Sequence, residues 1–157
     1  MTATLFLRNE AGRRGVPLRR SFERWIAAVP GLRRRGRVEI NLLIVGSREA
    51  RRFNREFRGR DYATNVLSFR HEPLPGQKKT ALLGELVICA PVVAREAAEQ
   101  GKRLPDHYAH LTIHGVLHLL GHDHESESDA TRMEQIERRI LAGLHIRDPY
   151  APAGLRH

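Results

Sequence analysis

The stretch RVEINLLIV, at residues 37–45, decides the fold class, because its apolar side chains recur at every second position. This alternation is typical of a half-buried strand, and the alternating residues are Val38, Ile40, Leu42 and Ile44. Helical patterns lie on both sides of the strand. Pro17 begins an amphipathic stretch that runs through Val29, and Ser47 can cap a helix that continues to about Phe57. The sequence therefore predicts a strand between two helices.

The remaining segments follow the same two patterns. The strand-like segments are TLFLR at 4–8, the later part of GRDYATNVLSF at 59–69 and LLGELVICA at 82–90. The helical segments run from Pro91 to Gly101, from Pro105 to Gly121 and over 129–144. The loop HEPLPGQKK joins the last two strands, which are expected to be antiparallel. The order β-α-β-α-β-β-α-α-α predicts an α+β fold with a small mixed four-stranded sheet covered by helices. We expect a single domain over residues 1–157, with a frayed tail at 151–157.

Composition excludes several classes of protein. Of the 157 residues, 41% are hydrophobic and 29% charged, values near the average for globular domains. No apolar run reaches the roughly 18 residues of a membrane span, and the first ten residues lack the apolar core of a signal peptide. We therefore expect a cytoplasmic protein with no membrane partner. The single cysteine, Cys89, has no disulfide partner and is expected to be a small buried hydrophobe.

Charge is distributed unevenly along the chain. The net charge is +9, but residues 1–60 hold 16 basic and 5 acidic residues, a net +11, so that the remainder carries −2. A basic surface of this kind attracts phosphate polymers. Arginine outnumbers lysine by 24 to 3, which suits bidentate phosphate contacts but equally fits a bias in base composition.

The segment HGVLHLLGHDH, at 114–124, has the spacing of a metal site. His114 and His118 are four residues apart, so their imidazoles lie on one helical face. Gly121 can end the helix and return His124 to the same ion. Three imidazoles with an open fourth position are typical of a catalytic zinc site. His122 competes with His124 as the third ligand.

The other groups near this segment have more ordinary interpretations. His107 and His110 are expected to be partnered core or surface histidines, and Asp123 either orients a ligand imidazole or caps the turn. Without a metal, the three clustered imidazoles would each lack a partner in an apolar helix, at a cost of about 1 to 3 kcal/mol.

The metalloprotease pattern H-E-x-x-H-x-x-G-x-x-H is matched at its histidines and its glycine, a metzincin-like spacing, but Gly115 stands where the glutamate belongs. Glycine has no side chain to accept a proton, so the general base of those proteases is missing. A zinc-dependent peptidase or another hydrolase would need a base from elsewhere, for example Glu85 or Asp123. A third possibility is a ribosome-binding assembly factor whose metal only stabilises the fold.

Three blocks in order, FRGRDYATNVLSF at 57–69, LGELVICAPVVAREAAEQG at 83–101 and HGVLHLLGHDH, resemble the YbeY family of bacterial rRNA maturation factors. The resemblance runs from about Val38 to about Tyr150. It implies a zinc-type, single-strand-specific endoribonuclease that matures the 3′ end of 16S rRNA with the small ribosomal subunit or its factors, and that takes part in ribosome quality control. Its metal ligands would be His114, His118 and His124, and its functional arginine Arg58.

The sequence departs from the family's common pattern at three positions. Glu85 stands for aspartate, His122 for tyrosine and Arg70 for proline. The change at 85 is conservative, the one at 122 adds an imidazole beside the site, and the one at 70 adds a positive charge near the cleft.

The roles of the remaining candidates follow from phosphate chemistry. An ion with an open position lowers the pKa of bound water or polarises a phosphoryl oxygen, and Arg58 can neutralise charge that develops on the phosphate. Thr64, Asn65 and Ser68 are expected to line the cleft, and Arg51 and Arg55 to bind the RNA backbone. The few aromatic residues do not alternate with basic ones, so sequence-specific base readout is not expected.

Overall fold

The computed structural model describes residues 3–77, 80–122 and 125–151, without the side chain of Arg33. The elements are β1 Ala3–Asn9, α1 Arg19–Ala27, β2 Val38–Val45, α2 Ser47–Arg58, β3 Val66–Arg70, β4 Leu82–Cys89, α3 Ala90–Gln100, α4 Leu104–Leu119 and α5 Glu127–Gly143. This order matches the predicted one. A short 3-10 helix, Pro30–Arg35, lies between α1 and β2 and was not predicted. Most of the tail predicted to fray, residues 152–157, lies outside the described residues.

The four strands form one mixed sheet in the order β1-β2-β4-β3. β2 pairs in parallel with β1 and with β4, whereas β3 pairs with β4 in the antiparallel sense. The predicted α+β class and the predicted antiparallel pairing of the last two strands are therefore confirmed. β3 is an edge strand, and its outer side faces the cleft described below.

Apolar clusters pack on both faces of the sheet. The larger one joins the sheet to α1 and α4 and includes Leu86, Ile88, Ile113 and Leu117, each at most 2% exposed. The smaller one joins it to α2 and α3. Full burial of one such side chain stabilises the fold by about 1.5 to 3 kcal/mol. Cys89 belongs to the smaller cluster, where burial raises the pKa of its thiol, as expected of a structural cysteine.

The close approach of α4 to the sheet depends on Gly115. A Cβ atom there would lie 2.7 Å from Cδ2 of Leu86 and 3.2 Å from Oγ of Ser68. This position of α4 therefore faces the sheet, where no glutamate side chain fits without displacing Leu86. The missing metalloprotease glutamate thus has a packing explanation. Within the described residues, no helix is both long enough and apolar enough to cross a membrane.

Candidate active site

Helix α4 carries a row of histidines, His107, His110, His114 and His118, on one side. Steps of three or four residues keep side chains on one face of an α-helix. The other sides of α4 are apolar and packed, which fixes the rotation of the helix, and His110, His114 and His118 line the cleft that β3 borders. The helix therefore presents several imidazoles to one place.

His114 lies at the centre of this arrangement. Its Nδ1 atom is 2.6 Å from Oε1 of Glu137, and its Nε2 atom is 3.1 Å from Nε2 of His118. Glu137 comes from α5 and is fully buried. Because its carboxylate can only accept hydrogen bonds when ionised, Nδ1 of His114 is the donor in that contact. The proton on Nδ1 leaves the lone pair of the ring on Nε2, the atom directed at His118.

Glu137 also binds two further groups. The hydroxyl of Tyr150 donates to Oε2 of Glu137, and Nε2 of His110 lies 3.5 Å from Oε1 of the same carboxylate. Burial raises the pKa of Glu137, but the hydrogen bonds with His110, His114 and Tyr150 outweigh it and bring the pKa to about 2. Glu137 is therefore a buried anion, and burial in turn raises the pKa of the Tyr150 hydroxyl.

Sequence reasoning missed Glu137 and Tyr150. The sequence contained a signal for Glu137, since it lies on the apolar stripe of α5 with Met133, Ile140 and Leu141, all buried. A glutamate in such a stripe needs a polar partner inside the fold. Tyr150 has no comparable local signal, because only the fold brings the segment after α5 back to α4.

The described residues offer two ways to hold a divalent ion. His110, His114 and Glu137 have ligand atoms within 4.8 Å of one another and could bind a metal. Two nitrogen ligands at 2.0–2.1 Å from a tetrahedral zinc are about 3.3 Å apart. The 3.1 Å between the Nε2 atoms of His114 and His118 is close to this value, although it also suits a hydrogen bond between the rings. The 2.6 Å between His114 and Glu137 is a hydrogen-bond length, shorter than two ligands of one ion would take.

The helix ends after His118 as the sequence predicts. Gly121 has φ +102°, and the amide of His122 donates to the carbonyl of Leu117, so the chain reverses there. The predicted third ligand His124 and its neighbour Asp123 lie outside the described residues. His122 is not among the residues that line the cleft.

A cleft of about 890 Å³ separates the histidines from the edge of the sheet. One wall is formed by α4 and Tyr150, the other by β3 and the end of α2. Residues of the second wall are Asn54, Arg58, Arg60, Tyr62, Thr64, Asn65, Val66, Leu67, Ser68, Arg70 and Glu72, and Glu125 also lines the cleft. Four of the predicted site residues, Arg58, Thr64, Asn65 and Ser68, therefore line the same cleft as His114 and His118.

Arg58 is held against β3 by two contacts. Its Nη2 atom donates to the carbonyl of Ser68 at 3.0 Å, and its guanidinium lies 5.8 Å from the centre of the Phe69 ring. The hydroxyl of Ser68 donates in turn to the carbonyl of Gly115 at 3.4 Å. A chain of short contacts thus joins the arginine to the histidine helix.

Asn65 is part of a second buried network. Its Nδ2 atom donates to Glu96 of α3 at 3.0 Å, and Oε1 of Glu96 lies 2.9 Å from Nε2 of His107. His107 is 3% exposed, so it is a partnered core histidine, as predicted. Burial lowers its pKa, and the hydrogen bond with Glu96 offsets this only in part. This network fixes the beginning of β3.

Arg51 and Arg55 do not line the cleft within the described part of the chain. Arg51 makes a bidentate ion pair with Asp61, at 2.7 and 2.8 Å, and Arg55 lies 3.9 Å from the same carboxylate. The hydrogen bond from Arg51 lowers the pKa of Asp61. Sequence reasoning did not anticipate this partner, which compensates part of the positive charge of α2.

Glu85, which the sequence suggested as a candidate base, does not line this cleft. It is exposed on β4, and its neighbour Leu86 faces α4 at Gly115. Successive side chains of a strand point to opposite faces, so Glu85 lies on the face of the sheet away from the histidines.

The fold and the cleft define the class of the protein, a small α+β chain whose histidine helix and edge strand enclose a candidate hydrolytic centre. A family model described as Endoribonuclease YbeY matches residues 8–145. Proteins called Endoribonuclease YbeY from Stenotrophomonas maltophilia strain K279a and from Alkalilimnicola ehrlichii are 58% and 54% identical, covering 88% and 89% of this chain and 88% and 86% of theirs. The chain belongs to the Endoribonuclease YbeY family.

The fold of the chain is also similar to that of a solved structure. The solution structure of TM1509 from Thermotoga maritima has a TM-score of 0.56 and 23% identity, covering 94% of this chain and 99% of that one.

Proposed function

We propose that this chain is a metal-dependent endoribonuclease that cuts single-stranded RNA at the cleft between α4 and β3. The observation that carries the proposal is the geometry of His114, with Nδ1 on a buried carboxylate and Nε2 3.1 Å from the matching atom of His118. Two imidazoles directed at one place, one of them oriented by a carboxylate, form the usual surroundings of a catalytic metal. Family membership supports RNA as the substrate.

The proposed ligands are His114, His118 and His124, and the proposed ion is zinc. His124 is included on the spacing of the sequence. Neutral imidazoles suit zinc, and the separation of the two Nε2 atoms suits a tetrahedral ion. When bound, such an ion supplies Lewis acidity, which activates a water molecule or polarises a phosphoryl oxygen.

The residues of the chain have separate tasks in this proposal. Glu137 keeps the proton of His114 on Nδ1, so that Nε2 stays available toward the cleft. Arg58 neutralises charge that builds up on the scissile phosphate, from a position that its contact with Ser68 defines. Thr64, Asn65 and Ser68 offer polar groups along the edge strand to the RNA backbone.

The natural substrate in this proposal is the 3′ end of 16S rRNA, bound with the small ribosomal subunit or its factors in the cytoplasm, with a role in ribosome quality control. A basic surface supports a polyanionic partner. In the described part of the chain, eleven exposed arginines within residues 1–60 have no carboxylate within ion-pair distance: Arg13, Arg14, Arg19, Arg20, Arg24, Arg34, Arg35, Arg37, Arg48, Arg58 and Arg60. We also propose that residues 1–157 form one domain, because both apolar clusters pack on the same sheet.

Incubation of the pure protein with labelled single-stranded RNA and with casein, each with and without a chelator, tests this function. We expect RNA cleavage that the chelator abolishes and that added zinc restores. Cleavage of casein would indicate a peptidase instead. A chelator that lowers the melting temperature while neither substrate is ever cut would indicate an assembly factor with a structural metal.

A further inference from the structure

Two exposed aromatic rings lie on the second wall of the cleft or beside it. Phe57, at the end of α2, is 59% exposed, and Tyr62, in the loop that leads to β3, is 51% exposed. Tyr62 lines the cleft. Large rings usually contribute to a core, so exposure of this extent beside a candidate active site indicates a surface that meets a ligand.

Phe57 is held rigidly despite its exposure. Its ring stacks on Phe53, with the centroids 6.0 Å apart and 22° between the planes, and meets the edge of Phe69 at 5.2 Å. A ring supported in this way presents a fixed flat surface, so little conformational freedom is lost when a ligand binds. The Phe69 ring borders the cleft through Arg58, because the guanidinium of Arg58, which lines the cleft, lies 5.8 Å from the centre of that ring.

Arginines lie beside Tyr62 and beside the ring that supports Phe57. The guanidinium of Arg58 lies over Phe69, the ring that contacts Phe57, and Nη1 of Arg60 donates to the hydroxyl of Tyr62 at 3.3 Å. Both arginines line the cleft. A ligand that matches this surface has flat aromatic groups joined by negative charges, which is the chemistry of an unpaired nucleic-acid strand.

We propose that Phe57 and Tyr62 stack against unpaired bases of the RNA strand whose scissile phosphate lies at Arg58. This inference rests on the proposed function and adds a base-binding surface to it. Stacking is tolerant of sequence because every base has a flat face, in agreement with the expectation that the protein does not read base identity. Bases inside a duplex are already stacked and cannot reach the rings, so the surface favours single strands.

The linear sequence does not reveal this surface. Phe57 and Phe69 are twelve residues apart and belong to different elements, and aromatic and basic residues do not alternate along the chain. The antiparallel β3 strand brings Phe69 beside the end of α2, so that Phe57, Phe69 and Arg58 come together in the fold.

The test is a double-mutant cycle that combines substitutions of the two rings in the protein with removal of single bases from the RNA. Steady-state cleavage of a short single-stranded RNA is measured for wild type, Phe57→Leu and Tyr62→Leu, and repeated with RNAs in which one nucleotide at a time is abasic. Base stacking on one ring amounts to about 5- to 150-fold in affinity. We expect each leucine variant to raise KM by about 5-fold or more with little change in kcat, since stacking acts equally before and during the reaction.

The abasic RNAs identify the contact. For each ring, one abasic position should raise KM for wild type and remove the difference between wild type and the leucine variant. Phe57→Tyr and Tyr62→Phe keep the ring and should retain KM near that of wild type. Phe6→Leu is the matched control, because Phe6 is 51% exposed on β1, at the opposite edge of the sheet.

Two results would overturn the inference. The first is a KM for the leucine variants equal to that of wild type. The rings would then not bind bases, and a protein partner would be the ligand to test. The second is a leucine effect that persists unchanged on every abasic RNA, which would indicate a structural role. If wild type cuts no RNA, the proposed function fails, and anisotropy measurements of the same variants and RNAs still decide whether the rings bind bases.

Discussion

The two walls of the cleft are built in opposite ways. On the α4 wall, the central charge is Glu137, which is fully buried and bound to histidines and to Tyr150. On the α2–β3 wall, the charged side chains are exposed: Arg58, Arg60 and Arg70 line it, and the side chains of the Arg70–Glu72 ion pair are 46% and 75% exposed. A buried network fixes the positions of protons and ligands, whereas an exposed one adapts to a flexible strand. The first wall is therefore suited to holding a metal ion, and the second to contacting RNA, including the scissile phosphate at Arg58.

The two walls also differ in how much free energy of unfolding a broken charge pair costs. Removing one partner from a buried charge pair typically costs about 3 to 5 kcal/mol, because the remaining charge is left without compensation. An exposed ion pair is worth about 0 to 1 kcal/mol. Substitutions on the α4 wall are thus expected to affect stability and metal affinity, and those on the other wall mainly turnover and binding.

The largest expected effect on activity comes from Arg58. Arg58→Ala should lower kcat for RNA cleavage by about 10²- to 10³-fold, because a group that stabilises charge in the transition state contributes mainly to rate. Its melting temperature and metal content should stay close to those of wild type, since the arginine is exposed. Arg58→Lys should recover only part of the rate, because an ammonium cannot make a bidentate phosphate contact. Wild-type turnover in the alanine variant would contradict the role.

Glu137 provides the corresponding test of the buried wall. Glu137→Gln keeps the volume but removes the charge, and an amide can donate to Nδ1 of His114 and reverse its tautomer. We expect metal affinity to fall by about 10- to 100-fold and the melting temperature to fall as well. Titration with zinc and thermal melts measure both. Tyr150→Phe, which removes one hydrogen bond and leaves the carboxylate in place, should have a smaller effect on both quantities.

A pH effect is expected from the network of His107. Because burial lowers the pKa of His107 in the folded protein, the unfolded chain takes up this proton first as the pH falls below about 6.5. The contribution of this group to stability is therefore complete above that pH and decreases below it, by at most about 1.4 kcal/mol per pH unit. Urea unfolding between pH 5 and 7.5 should show a shallower dependence for His107→Gln than for wild type. Parallel curves would contradict the assignment.

The smallest effects are expected from the exposed charges of α2. Neutralising Arg51, Arg52 and Arg55 together should reduce the slope of log affinity for single-stranded RNA against log salt by up to about 0.7 per lost phosphate contact. Arg51 and Arg52 already have carboxylate partners, Asp61 and Glu49, so the loss is expected to stay below three full contacts. Asp61→Asn should strengthen binding, because it releases Arg51. An unchanged slope in the triple variant would show that these three arginines do not bind RNA and would point to the arginines near α1 instead.

Local patterns predicted much of this structure. Three features depend only on near neighbours in the chain: the alternation in β2, the histidine spacing of α4 and the turn at Gly121. They can therefore be predicted from the sequence. The network around Glu137 is not, because it joins α4 to residues 23 and 36 positions further along the chain. The same limit applies to Asp61 beside Arg51 and to Phe57 beside Phe69. Distant partners become visible only through the sheet order and the packing of helices on it.

Elemental analysis of the metal in the purified protein and in single histidine variants, paired with thermal melts, tests the proposed ligand set. We expect one ion per chain in wild type, His110→Ala and His122→Ala. The ion should be lost, and the melting temperature lowered, in His114→Ala, His118→Ala and His124→Ala. Full occupancy in His124→Ala with loss in His122→Ala would transfer the third ligand to His122. Full occupancy in His118→Ala with loss in His110→Ala would contradict this ligand set and place the ion on His110, His114 and Glu137.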